Sequence, residues 1–504
     1  MKRGILFAFL ALIVSKSWIA TTLGPFGDEA FYWQCSQRLA LAYTDHPPMT
    51  ALLVRLGSEV LGDTALGIRL LFLLCGVAFP VAVFWLAQPL VGQRDAWLAA
   101  GTTLILPAVA HLGLLAIPDV PMLLLTALFL GAFERATSTS RLRWWMASGL
   151  FGGLGLVTHY RFVLAPLAAL VYLVVTRRGR SHFRGPNVCW MLAGWAFGTI
   201  PAILYNVRNA FTPLRYYLTD RHGAQVDVNA PLEHLAGQAL LVTPLLYVAL
   251  LATLASLVRR WRAGEDRAAL LSLFAVVPLT VFLIASPFER SGVATVHWPV
   301  PGYLALLPML PGVLREFASG GAAWRRWVAC AAPALAAALM TLVLVELGTG
   351  WLRLPGVREP FLGFEEVVEQ TQQTLDELSP DHDGRWLVVA DNYKLGGLLE
   401  LALHRSAEVF VLDHRKNRQH GRAPQLAIWG VDETGLRRRN EQEAVVVIEV
   451  SQIRSNQHDA WVAHAGSFFS SFERIGELRV RSSGKRKPEK VYWFYRGTAT
   501  AAQR

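Results

Sequence analysis

Charge is what this chain has least of. Only 17% of its 504 residues are Asp, Glu, Lys or Arg, and 53% are hydrophobic. A soluble domain is about a quarter charged, so an ordinary soluble globule is excluded and an integral membrane protein is implied. Cysteine is scarce too: Cys35, Cys75, Cys189 and Cys330, three of them in apolar runs and none in a CxxC spacing. That set supports neither a disulfide framework nor a thiolate metal site. No P-loop, GxGxxG or GxSxG occurs, and no internal repeat or low-complexity tract. The glycine-rich "FGGLGLV" at 151–157 reads as close helix packing. The net charge of +11 reads as cytoplasmic-loop charge, so nucleic acid is not an expected partner.

What is there is a series of apolar runs. Candidate spans lie near 4–20, 66–90, 96–114, 121–135, 143–157, 162–176, 188–205, 235–258, 268–286, 298–314 and 326–346, about eleven in all. The opening "MKRGILFAFLALIVSKSWIATT" resembles a signal peptide, but no A-x-A site follows the apolar run. It is expected to be an uncleaved first span with its basic end in the cytoplasm. With that start, Arg94, "ERATSTSRLR", "RRGRSHFRG", "RRWRAGEDR" and "REFASGGAAWRR" all fall on one side, as the positive-inside rule requires. The opposite loops are 21–65, "AIPDVP", "THYRF", 206–234 and "SPFERSGVATVHW".

An odd span count puts the remainder, 347–504, outside the cytoplasm. Its acidic and basic residues nearly balance, and "RWLVVADN", "EVFVLD", "AVVVIEV" and "KVYWFYRG" have strand composition. "FEEVVEQTQQTLDELS" and "YKLGGLLELALHR" have helical periodicity. The expected organisation is therefore a transmembrane unit, 1–346, with its first outer loop at 21–65. A soluble α/β domain, 347–504, follows.

Chemistry is expected in the outer loops. Asp28 and Glu29 follow directly on the first span, where a buried carboxylate is costly. One positioned carboxylate suffices for a general base, and neighbours on a helix point about 100° apart, so the two need not share a role. A solvated helix start with an acidic N-cap is the plainer reading. "YTDHPP" holds Asp45 and His46 rigidly before Pro47 and Pro48. Asp119, between two prolines, suits an N-cap as well as a site. Basic and aromatic residues then gather on a face that the positive-inside rule disfavours: His159, Tyr160, Arg161, Arg208, Arg215, Arg221, His222, Arg290 and His297. Together they suggest an anionic ligand such as a phosphate.

At "GDEAFYWQCSQRLALAYTDHPPMT", "IPDVPMLL", "THYRFVLAPLAALVYLV", "IPAILYNVRNAF" and "HWPVPGYLALLP" the sequence resembles glycosyltransferase family 39. This group belongs to the GT-C superfamily and holds the protein O-mannosyltransferases and the lipid A aminoarabinose transferases. "DNYKLGGLLELAL" and "VLDHRKNRQHG" resemble the tail of a bacterial subgroup. The resemblance implies a polytopic helical GT-C fold in the bacterial inner membrane, with a periplasmic active site. It implies an inverting transfer from a polyprenyl-phosphate sugar to a glycan, lipid or protein acceptor. Asp28 matches the family's catalytic aspartate, Glu29 its neighbour and Asp119 the acid of the second outer loop. His46, Asp45, Tyr160, Arg161, Arg208, Arg290 and His297 are the expected contacts to donor phosphate or substrate. The chain departs from the aminoarabinose transferases twice. His46 stands where they have a lysine that meets the donor phosphate, and Phe31 where they have an arginine three positions after the aspartate. A divalent cation on Asp28, Glu29 and Asp119 is a candidate cofactor. A transporter or flippase of lipid-linked sugars is the competing class; it expects ionisable residues in a line through the bilayer.

Overall fold

The computed structural model describes residues 2–109, 112–216, 219, 226–288, 296–378, 386–404, 406–439, 442–481 and 490–499. Up to residue 349 the fold is helical. Among the described residues, seven helices are long and apolar enough to cross a membrane, or eight if the bent pair Tyr160–Val175 and Arg177–Arg184 forms one span. The seven are Lys2–Thr22, Ala65–Ile105, Asp119–Thr139, Asn187–Arg208, Pro244–Arg262, Asp266–Phe288 and Ala323–Thr349.

This is fewer than the eleven spans expected, and the reasons are local. Runs 66–90 and 96–114 lie in one continuous element, Ala65–Ile105, which non-helical backbone at Gly92 (φ 76°) kinks into two helices, close to where the sequence divides them. It starts where the Thr64 hydroxyl accepts from Gly67 N at 3.0 Å and stops before Pro107. Run 235–258 is divided at Thr243 (φ 72°), just before Pro244. Run 298–314 is split into Val300–Leu304 and Leu310–Ala318, and Leu142–Leu156 is only 15 residues long. The glycines of this last helix do serve close packing. A Cβ on Gly153 would lie 2.4 Å from the Gly194 carbonyl on Asn187–Arg208, so the two backbones touch as small-residue membrane interfaces do.

Ion pairs sort the connections into two groups. The strongly basic loops meet one another: Arg267 reaches Glu134 at 3.0 Å, Arg178 reaches Asp266 at 3.6 Å and Arg315 reaches Asp95 at 2.5 Å. The other loops also meet among themselves. Glu29 Oε1 accepts from Ala116 N at 2.7 Å, and Arg161 pairs with Asp119 at 2.9 Å. Basic loops thus share one end of the bundle and the Asp- and His-bearing loops the other.

The tail folds around a five-stranded sheet, β1 (Trp386–Ala390), β2 (Ala407–Val411), β3 (Glu443–Glu449), β4 (Phe469–Val480) and β5 (Lys490–Ala499), in the order β2-β1-β3-β5-β4. β2, β1 and β3 are parallel and β5 and β4 antiparallel. Val388, Val389, Val445 and Val446 are fully buried, as strands covered on both faces require. The four runs of strand composition become β1, β2, β3 and β5. β4 was not foreseen because its sequence, FSSFERIGELRV, is that of a largely solvent-facing edge strand.

The tail docks onto the first outer loop. Helix Tyr393–Leu403 lies along helix Gly27–Gln37, and its Glu400 accepts from Gln34 at 2.5 Å and from Arg38 at 2.7 Å. The approach is close enough that a Cβ on Gly27 would sit 2.3 Å from Lys394 Cβ.

Candidate functional site

Helix Gly27–Gln37 carries both first-loop carboxylates, and it points them in opposite directions. Gly24-Pro25-Phe26 runs extended into the helix start, where Glu29 Oε2 accepts from Phe26 N at 3.2 Å. Glu29 then turns inward. Arg69 Nε donates to its Oε1 at 2.8 Å and Arg69 Nη2 to its Oε2 at 2.6 Å, and both side chains are fully buried. The rest of the guanidinium donates to the carbonyls of Ala20, Leu23 and Gly24. This network ties the end of the first span, the loop helix and residue 116 together. It engages both oxygens of Glu29, the first-loop acid expected beside Asp28 in the catalytic set.

Asp28 faces the other way and keeps 22% of its side chain exposed. The Tyr393 hydroxyl donates to its Oδ1 at 2.7 Å, Lys394 Nζ lies 3.1 Å from Oδ2, and Arg422 Nη2 lies 3.7 Å from Oδ1. Burial pushes the carboxyl up, but Lys394, Arg422, His420 and the Tyr393 hydrogen bond outweigh it. Asp28 is held well below the usual carboxylate range.

Arg422 joins the two acidic motifs of the loop. It is 4% exposed, pairs with Asp45 Oδ2, and stacks its guanidinium 4.1 Å over the ring of Phe31. The position three residues after the aspartate therefore receives a cation after all, from the tail. Burial raises the Asp45 carboxyl, while Arg422 and His46 prevail and lower it to about 2. His46 is only 1% exposed. Its Nδ1 lies 2.9 Å from Asp45 Oδ1, and its ring stacks on Tyr43 at 4.9 Å with Tyr32 edge-on at 4.8 Å. The His46 ring, expected at the donor phosphate, is thus walled in, and Arg422 is the cation beside Asp45.

A second group sits at the start of helix Asp119–Thr139. Asp119 Oδ1 accepts from Arg161 Nη2 at 2.9 Å, and His297 Nε2 is 3.7 Å from the same oxygen. Arg161 lies 4.9 Å over Trp298, and a narrow cleft beside it is lined by Met122, Phe274, Phe282 and Trp298. Tyr160 donates to the Tyr43 carbonyl at 3.4 Å, which links this group to the DHPP turn. Arg208, by contrast, is exposed at the end of its helix, away from both groups. Arg290, Arg221 and His222 lie outside the described residues.

The candidate cation set of Asp28, Glu29 and Asp119 does not converge, since each carboxylate faces its own basic partner. Among the described residues no three His, Cys, Asp or Glu side chains come together.

Sequence reasoning named no partner for these acids. Arg69 had a signal, a lone basic residue inside an apolar run, which needs a counter-charge. Tyr393 and Lys394 lie in the first tail motif whose resemblance was noted and Arg422 directly follows the second, but nothing local ties them to Asp28, 365 positions away from Tyr393.

The chain is similar to known proteins in sequence and in fold. The family described as dolichyl-phosphate-mannose-protein mannosyltransferase matches residues 45–205, which include Asp45, His46, Asp119 and Arg161 but not Asp28. The lipid A galacturonosyltransferase RgtD of Rhizobium johnstonii is 28% identical over 284 residues, a match spanning 56% of this chain and 58% of that protein. In fold, the chain is similar to ArnT from Cupriavidus metallidurans bound to undecaprenyl phosphate. That likeness has a TM-score of 0.62 and 17% identity over 97% of this chain and 98% of the other. An arabinofuranosyltransferase, AftD from Mycobacteria, follows at a TM-score of 0.51 and 14% identity, over 100% of this chain and 40% of the other.

Proposed function

We propose, for a chain that belongs to the GT-C superfamily of membrane glycosyltransferases, transfer of a sugar from a polyprenyl-phosphate donor to an acceptor outside the cytoplasm. The reading places the protein in the bacterial inner membrane, with the Asp28 face and the tail in the periplasm. The acceptor is lipid A, another glycan, a lipid or a protein. The observation that carries the reading is the convergence of Lys394, Arg422 and Tyr393 on a partly exposed Asp28 beside the membrane end of the bundle.

The geometry supports the following chemistry. A carboxylate held by two cations is a weak base. A donor phosphate entering between Lys394 and Arg422 draws those cations to itself, because phosphate oxygens compete well for both. Asp28 then regains basicity at the moment the donor is in place. It accepts the proton of the acceptor hydroxyl, whose oxygen bonds to the anomeric carbon from the face opposite the phosphate. The bond from that carbon to the phosphate oxygen breaks, and the lipid phosphate leaves with the electron pair. Lys394, Arg422 and Arg161 stabilise its charge, the usual electrostatic route. Asp45 holds Arg422, and Glu29 with Arg69 holds the helix.

The competing transporter reading finds less support, because the outer-loop acids sit at one end of the bundle rather than along a line through it. Deleting the gene and weighing envelope lipids and glycans by mass spectrometry tests the proposal. Loss of one sugar residue from a single envelope component is expected. An unchanged envelope together with accumulation of undecorated lipid-linked sugar in the inner leaflet favours a flippase instead.

A further inference from the structure

Away from Asp28, the tail holds a cavity of about 500 Å³ lined by residues of the segments 414–419 and 452–461. It opens on the C-terminal side of the parallel strands, where Val411 of β2 and Glu449 of β3 end. Open α/β sheets commonly bind ligands there. The size is that of a small-molecule site. Its lining is unusual in three respects. Arg415, Lys416 and Arg454 contribute three cations to the lining, and the nearby carboxylates Glu449 and Asp391 act on Lys416. Three planar amides, Gln419, Gln452 and Gln457, supply both donors and acceptors. One indole, Trp461, is packed edge-on against His414 at 5.3 Å. Burial, together with Lys416 and Arg415, pushes His414 down to about 4, so at neutral pH it adds a ring and no charge.

Cations for an anion, amides for hydroxyls and an indole for a sugar face are together the chemistry of a charged saccharide. The cavity is also wired to the candidate site. Its wall, helix Arg415–Gln419, places Asn417 so that its Oδ1 accepts from Tyr393 N at 2.9 Å. The same segment runs on to Arg422, which reaches Asp45 and Asp28. We propose that this cavity binds an anionic saccharide, a part of the acceptor's sugar head other than the unit whose hydroxyl reaches Asp28. That identity as acceptor rests on the transferase reading above; the binding itself does not.

The test is calorimetric titration of the full chain in nanodiscs with a bisphosphorylated hexosamine disaccharide, the same disaccharide without phosphate, and inorganic phosphate. The bisphosphate should bind saturably, and at least about tenfold tighter than the neutral sugar. Arg415→Ala with Arg454→Ala should abolish that preference, and Trp461→Ala should weaken the bisphosphorylated sugar about tenfold with the melting temperature unchanged. Asp28→Asn should bind like the wild type. No saturable binding, or binding that ignores all three substitutions, overturns the proposal. So does inorganic phosphate binding as tightly as the sugar, which marks an anion site only. The titration holds no donor and so reads binding alone; a protein that binds here yet transfers nothing in a separate assay with donor sinks the transferase reading alone. One that transfers without binding here sinks only this inference.

Discussion

Glu29→Gln separates the two adjacent acids. Glu29 and Arg69 are both 0% exposed, and five hydrogen bonds from Arg69 hold this carboxylate and three backbone carbonyls. The glutamine keeps one oxygen for Ala116 N or Phe26 N but removes the charge opposite a buried guanidinium. Breaking a buried pair by removing one partner costs about 3–5 kcal/mol. Asp28→Asn is a milder change. Asp28 is 22% exposed, and Arg422 keeps Asp45, so the expected cost is about 1 kcal/mol or less. Thermal unfolding of detergent-purified protein is the assay, read beside sugar transfer. Glu29→Gln should melt far below both wild type and Asp28→Asn. The double variant Glu29→Gln with Arg69→Met should recover part of the loss, since no buried charge remains unpaired. If Glu29→Gln melts like the wild type yet transfers nothing, Glu29 takes part in the chemistry and the structural role argued for it is wrong.

Arg422→Met keeps the contact with Phe31 but removes the guanidinium beside Asp45 and Asp28, so donor affinity should fall about tenfold or more; unchanged donor titration curves would refute this. Glu400→Ala removes the acceptor for Gln34 and Arg38 and should loosen the tail from helix Gly27–Gln37, read as faster proteolytic release of the tail with about 1–3 kcal/mol lost. Asp391 is fully buried at the end of β1, and burial with Glu449 nearby pushes its carboxyl up to about 8 from 3.8. A raised acid stabilises the fold in its protonated form, so that contribution is complete below about pH 4 and is lost as pH rises toward 8. Asp391→Asn should flatten the fall in melting temperature across that window and melt above wild type at pH 8; an unaltered slope would contradict it.

The outer loop was readable because chemistry there is local. "GDEAFYW" puts two acids at a helix start, and "IPDVP" puts Asp119 at another, and both stand where expected. Telling Asp28 from Glu29 needed Arg69, 40 positions on. The rigid DHPP turn around His46 was legible, but the tyrosines that enclose its ring, Tyr32 and Tyr43, were not, since they pack on it by tertiary contact. Four strands were legible from β-branched runs, whereas β4 alternates charges like a loop. Hydropathy placed a boundary near Gly92, where the backbone does kink, but it did not show the breaks at Thr243 and at the prolines near 300. Most opaque was the tail's part in the site, since Arg422 belongs to a segment whose local pattern is only that of a basic turn.

The central claim is that Asp28 removes the acceptor's proton once the donor phosphate has drawn off Lys394 and Arg422. The most direct measurement is transfer of labelled sugar from polyprenyl phosphate in proteoliposomes carrying wild-type or Asp28→Asn protein of equal melting temperature. Donor binding retained, with transfer reduced by about a hundredfold or more, is the predicted result. Full transfer by Asp28→Asn would contradict it.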